Sequence, residues 1–116
     1  MSNENDRSNP VRHIVMWNVA GDTSGERARA ISRVRAEFEA LRGQIPGMLR
    51  LEIGVDHSGI SYACDMVLVS EFENEAALRA YAAHPAHLAA RERLEGLRVA
   101  RHQVDYILDA GSAGHE

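Results

Sequence analysis

Nine residues near the start of the chain limit its fold more than any others. From position 11 the sequence runs VRHIVMWNV, which sets Val11, His13, Val15, Trp17 and Val19 against Arg12, Ile14, Met16 and Asn18. Period-two alternation of β-branched and aromatic residues makes a strand. The first set is apolar apart from His13. The second set carries Ile14 and Met16, so this face also calls for cover. One layer of helices covers only one face of a sheet, and the second face must find its partner elsewhere.

The rest of the chain supplies elements that fit such a strand. Gly21 and Asp22 end it, and Thr23 followed by Glu26 has the spacing of a capping box. Ala28, Ile31, Val34, Phe38 and Leu41 then form the apolar stripe of an amphipathic helix, which Gly43 and the Ile45-Pro46-Gly47 turn close. Met48 to Val55 reads as a second strand with Leu49, Leu51, Ile53 and Val55 on one face. Cys64 to Phe72 reads as a third, its centre Met66-Val67-Leu68-Val69 continuous enough for burial on both sides. Asn74 is placed to cap a helix with Ala77, Leu78, Tyr81 and Ala82 inside, and Pro85 breaks it at His84. A shorter helix over Ala86 to Leu94, a stop at Gly96 and a strand from Val99 to Leu108 complete the order β-α-β-β-α-β. That order predicts an α+β, ferredoxin-like fold with a four-stranded antiparallel sheet and the first strand central. A second copy of the chain is the economical cover for the open face, so a homodimer is expected. Residues 1–10 read as a disordered leader, 11–108 as the domain and 109–116 as a disordered tail.

Composition excludes several functions. The net charge of -4 and pI of about 5.8 lack the basic footprint of a nucleic-acid-binding protein. All 13 basic residues are arginine, so no lysine exists to form a Schiff base. A single cysteine, Cys64, rules out an internal disulfide and reads as a small buried hydrophobe. No run is long and apolar enough for a membrane span, and Met1 to Pro10 lacks the apolar core of a secretory signal, so a cytoplasmic location is expected.

Candidate chemistry concentrates in Tyr81-Ala82-Ala83-His84-Pro85-Ala86-His87, three polar rings around a helix break. A histidine there suits general acid/base work, and a tyrosine suits hydrogen-bond donation to a developing oxyanion. The bland readings are core packing for Tyr81 and a turn role for His84. No HxH or HExxH spacing is present and Pro85 separates the two histidines, so no metal site and no cofactor are expected. His13 joins the set only if the first strand runs beneath this segment. Asp65 enters an apolar strand and needs a partner, for which Arg12, Arg50 or Arg101 is available. His57, His102 and His115 read as loop, strand-surface and tail residues.

Taken in order, Arg12-His13-Ile14-Val15, Ile45-Pro46-Gly47, Phe72, Ala77-Leu78-Arg79-Ala80-Tyr81, His84-Pro85-Ala86-His87 and Val104-Asp105-Tyr106 resemble the stress-responsive A/B barrel (Dabb) family over about Val11 to Leu108. The resemblance implies a ferredoxin-like chain that pairs with a second to form a dimeric α/β barrel. One plant member is a cofactor-free polyketide cyclase. Its pocket residues match His13, Tyr81 and His87, the last as general base. A further pocket histidine of that enzyme falls at Met66, and a frequent tyrosine at Cys64. The implied site is catalytic His87, Tyr81 and His13 in a small, mostly apolar pocket with His84, Met66 and Trp17. The implied ligand is a small hydrophobic carbonyl compound. A non-enzymatic stress or assembly protein and a cofactor-independent monooxygenase are the alternatives.

Overall fold

The structure is a computed structural model that describes residues 8–109. The expected leader and tail lie almost wholly outside the described residues. At their boundary, Pro10 accepts a hydrogen bond from the Leu108 N–H at 2.8 Å and so ties the two ends of the domain together.

The elements are β1 (Val11–Val19), α1 (Ser24–Glu39), β2 (Met48–Val55), β3 (Met66–Phe72), α2 (Glu75–Ala82), α3 (Pro85–Arg93) and β4 (Arg98–Ile107). The strands form one antiparallel sheet in the order β2-β3-β1-β4, the ferredoxin-like arrangement with β1 inside. Helix starts follow the side chains. The Thr23 hydroxyl accepts from the Glu26 N–H at 3.0 Å, and Glu26 reaches back to the Asp22 N–H at 2.7 Å, one residue before the position a capping box would use. Asn74 accepts from the Ala77 N–H at 2.9 Å. Both caps satisfy amides that a first helical turn leaves without partners.

The core lies between the helices and one sheet face. Val15, Trp17, Met66, Leu68 and Phe72 from the sheet meet Val34, Phe38 and Tyr81 from the helices. The α1 stripe starts at Ala30 rather than Ala28, which is exposed. β2 departs further from expectation. Leu51 and Ile53 are buried, but Leu49 is 59% exposed. β2 is an edge strand, and a register shift between Met48 and Arg50 leaves Leu49 as the extra residue of a bulge, which breaks the alternation. β3 starts at Met66, two residues later than its composition suggested.

Among the described residues the opposite sheet face carries none of the helices α1, α2 and α3. Met16, Val104 and Tyr106 are among the exposed large hydrophobic residues there, and β4 is exposed at nine of its ten positions. Among the described residues no helix is long and apolar enough to cross a membrane.

Candidate active site

The break between α2 and α3 brings two rings to one place. In a continuous helix, Tyr81 and His87 would be rotated roughly 240° apart about the axis. Pro85 prevents that continuity and instead starts α3, for which its fixed φ and missing N–H suit the first helical position. Tyr81 ends up buried in the last turn of α2, its ring centroid 5.1 Å from Phe72 and 4.2 Å from His87 in the first turn of α3. His13, on the helix-facing side of β1, lies edge-on to Tyr81 at 6.1 Å.

These rings border a cavity of about 230 Å³. Its lining has three groups: the rings of His13, Tyr81 and His87; an apolar wall of Val15, Trp17, Phe38 and Leu68; and the arginines Arg91, Arg98 and Arg101. The pocket expected to be mostly apolar therefore has a strongly cationic part.

The hydrogen bonds and burial of the three rings set what each can do. His13 Nδ1 lies 2.6 Å from Asp105 Oδ1, directly across the β1–β4 ladder. A carboxylate only accepts, so the His13 Nδ1–H donates. The other Asp105 oxygen accepts from Gln103 Nε2 at 3.0 Å. His87 Nδ1 donates to the Ala82 carbonyl at 3.3 Å, which leaves Nε2 free. Burial pushes the His87 pKa below the ordinary 6.5, and the charges of Arg91 and Arg98 add to the effect, while the bond to Ala82 opposes it. The half-buried ring is thus a neutral base at pH 7. Burial pushes the Tyr81 phenol up to about 12, so it stays protonated and can only donate to an anion. Its hydroxyl has no hydrogen-bond partner among the described residues.

The remaining residues named from sequence lie as follows. Trp17 lines the cavity. His84 does not: its Nδ1 accepts from the Ala86 N–H at 3.0 Å and caps α3. Met66 is also outside the cavity, 2% exposed in the core near the far end of β3. Asp65 takes none of the arginines proposed for it. It accepts from the Val19 N–H at 2.9 Å and pins the β1 end, while Arg12 and Arg50 pair with Glu71. Among the described residues no group of three or more His, Cys, Asp or Glu is arranged to hold a metal.

Asp105, Arg91, Arg98 and Arg101 were given no site role on sequence grounds. Alternation along β4 sets Gln103 and Asp105 apart from Val104 and Tyr106, but nothing local pairs Asp105 with His13. The arginines carry even less local signal. Residues three apart on a regular strand point to opposite faces. Here Ala100 adopts φ 55° in a register shift opposite Trp17, and this bulge puts Arg98 and Arg101 on the same cavity.

Fold and site together define a ferredoxin-like domain with a ring-and-arginine cavity between sheet and helices. The family model of the stress responsive A/B barrel domain (Dabb) matches residues 11–108, and the chain belongs to that family. It is 32% identical over 79 residues to the uncharacterised protein SCO4036 of Streptomyces coelicolor, spanning 68% of this chain and 80% of that one. A dimeric ferredoxin-like protein of unknown function from Bacteroides fragilis superposes with TM-score 0.76 at 29% identity, covering 85% of this chain and 96% of that one. A hydroxynitrile lyase from Passiflora edulis shares the fold with TM-score 0.73 at 19% identity, over 89% and 96% of the two chains.

Proposed function

We propose that the cavity is an acid/base site acting on a small carbonyl compound with its own side chains, in a chain that works as a homodimer. The observation that carries this reading is the convergence of a neutral base, His87, and a phenol donor, Tyr81, with ring centroids 4.2 Å apart at the cavity wall. His87 Nε2 takes a proton from the carbon beside the carbonyl. The C–H electron pair becomes the C=C bond of an enolate, and the carbonyl oxygen takes the negative charge and accepts the Tyr81 O–H. The enolate carbon then attacks a second carbonyl of the same molecule. His87 returns its proton to the new alkoxide, closing an aldol cycle without net change in protons. His13, held by Asp105, is a positioning residue that meets the Tyr81 ring edge-on.

The test is exchange of carbonyl-adjacent hydrogens for deuterium, followed by NMR over a panel of small ketones and oxoacids. His87→Ala should lower the catalysed rate ~10²–10⁴-fold while melting close to the wild type. Undiminished exchange in the folded variant would remove His87 from the chemistry. Exchange by neither protein would favour an assembly role.

The dimer reading rests on the uncovered face of β1 and β4 and on the dimeric Bacteroides fragilis relative. Light scattering should give about twice the chain mass of 12.8 kDa.

A further inference from the structure

The mechanism above uses the rings and leaves three arginines unexplained. Arg98 is half-buried, with its guanidinium over the Trp17 ring at 5.4 Å and the Phe38 ring at 5.3 Å. Its Nε is buried with no acceptor among the described residues. The Trp17 indole Nε1, on the same cavity, is a second buried donor with none. Buried donors in folded proteins normally have partners, so two orphans on residues that line one cavity mark a wall whose polar groups the described residues do not satisfy.

Charge points the same way. Arg91, Arg98 and Arg101 border the cavity together, and no ion pair joins any of them to a carboxylate among the described residues. Asp105, on the same side of the sheet, has both oxygens engaged by His13 and Gln103. Glu92 and Glu95 line an adjoining groove with the arginines but form no ion pair with them. Burial lowers the Arg98 pKa, and the neighbouring Arg101 and Arg91 lower it further. By contrast, Arg12 pairs with Glu71 and Arg93 with Glu37, each at 2.8 Å.

We propose that Arg91, Arg98 and Arg101 bind the carboxylate of the substrate, so that the cavity takes a small carbonyl-bearing acid with an apolar body. This rests on reading the cavity as the substrate site. Guanidinium forks match carboxylates in geometry, and Trp17, Phe38 and Leu68 supply the surface for the apolar body. The volume of about 230 Å³ equals roughly eight waters, which limits the ligand to a small molecule.

The experiment compares phenylacetate with the neutral, equally sized phenylacetamide by calorimetry on the full-length protein. Phenylacetate should bind at least ~10-fold more tightly, as expected for charge-assisted hydrogen bonds. Arg98→Gln should abolish that preference. Arg101→Gln, at an exposed strand position, should reduce it without the packing loss that Arg98 carries. Equal binding of acid and amide, no binding of phenylacetate, an unchanged preference in both variants, or tighter binding of inorganic phosphate overturns the proposal. His87→Ala separates it from the acid/base reading. An acid preference in a wild type that exchanges no hydrogen defeats the acid/base reading alone; His87-dependent exchange with equal binding of acid and amide defeats this one alone.

Discussion

Tyr81→Phe removes one oxygen atom and leaves the packing in place. The Tyr81 ring is 3% exposed and wedged between Phe72 at 5.1 Å and His87 at 4.2 Å, so the ring is part of the core. Its truncation to alanine should cost about 3–5 kcal/mol. The hydroxyl is different, because no group among the described residues bonds to it. Removing a hydroxyl that makes no protein hydrogen bond forfeits nothing in the folded state, and removes part of a desolvation cost of about 1–3 kcal/mol. Tyr81→Phe should therefore leave stability unchanged or raise it by up to about 1 kcal/mol, a shift of ~4–8 °C at most for a domain of this size. Its effect on turnover should be large. Loss of a single oxyanion donor costs about 10²–10³-fold. The assay pairs urea unfolding with carbonyl-adjacent hydrogen exchange. A loss of more than about 1 kcal/mol in stability would show that the hydroxyl is structural. Unchanged exchange would show that it does not face the reacting oxygen.

Other outcomes follow from the same geometry. The folded-state pKa of His87 is below 6.5, so exchange should be flat near neutrality and fall only as pH drops through that lower value, read from a pH–rate profile. By linkage, the unfolded chain binds the His87 proton more readily, so its contribution to stability is present above 6.5 and is lost as pH falls through 6.5 towards the folded value, measurable as unfolding midpoints across pH. Gly47 has φ +80°, and an added Cβ would meet the Ala77 Cβ at 2.7 Å; Gly47→Ala should cost about 2–4 kcal/mol in urea unfolding. Asp105→Asn weakens the hold on the buried His13 ring and should cost about 1–2 kcal/mol while lowering turnover, a loss that a change in kcat rather than KM would assign to positioning.

How much of this the sequence carried depends on the range of each interaction. Elements and caps were legible because they are local: Thr23, Asn74 and Pro85 act on amides within four residues of themselves. The central place of β1 was legible from the β-α-β-β-α-β order. Leu49 was misassigned because alternation assumes a regular strand, and the β2 bulge breaks it. The same limit hid the arginines. Arg98 and Arg101 share a cavity only because Ala100 interrupts β4, and Arg91 reaches them from a different element. His13, Tyr81 and His87 came from a family resemblance as much as from spacing, whereas Asp105 required the β1–β4 register.

The central claim is that rings and arginines form one ligand site. Trp17 is the only tryptophan in the chain, so its indole N–H gives a single, assignable NMR signal. Titrating phenylacetate into the labelled protein should move that signal together with those of His13 and His87 along one saturation curve, while His102 on the open sheet face stays still. Movement confined to the open face, or a Trp17 indole signal that does not respond to bound ligand, would contradict the account.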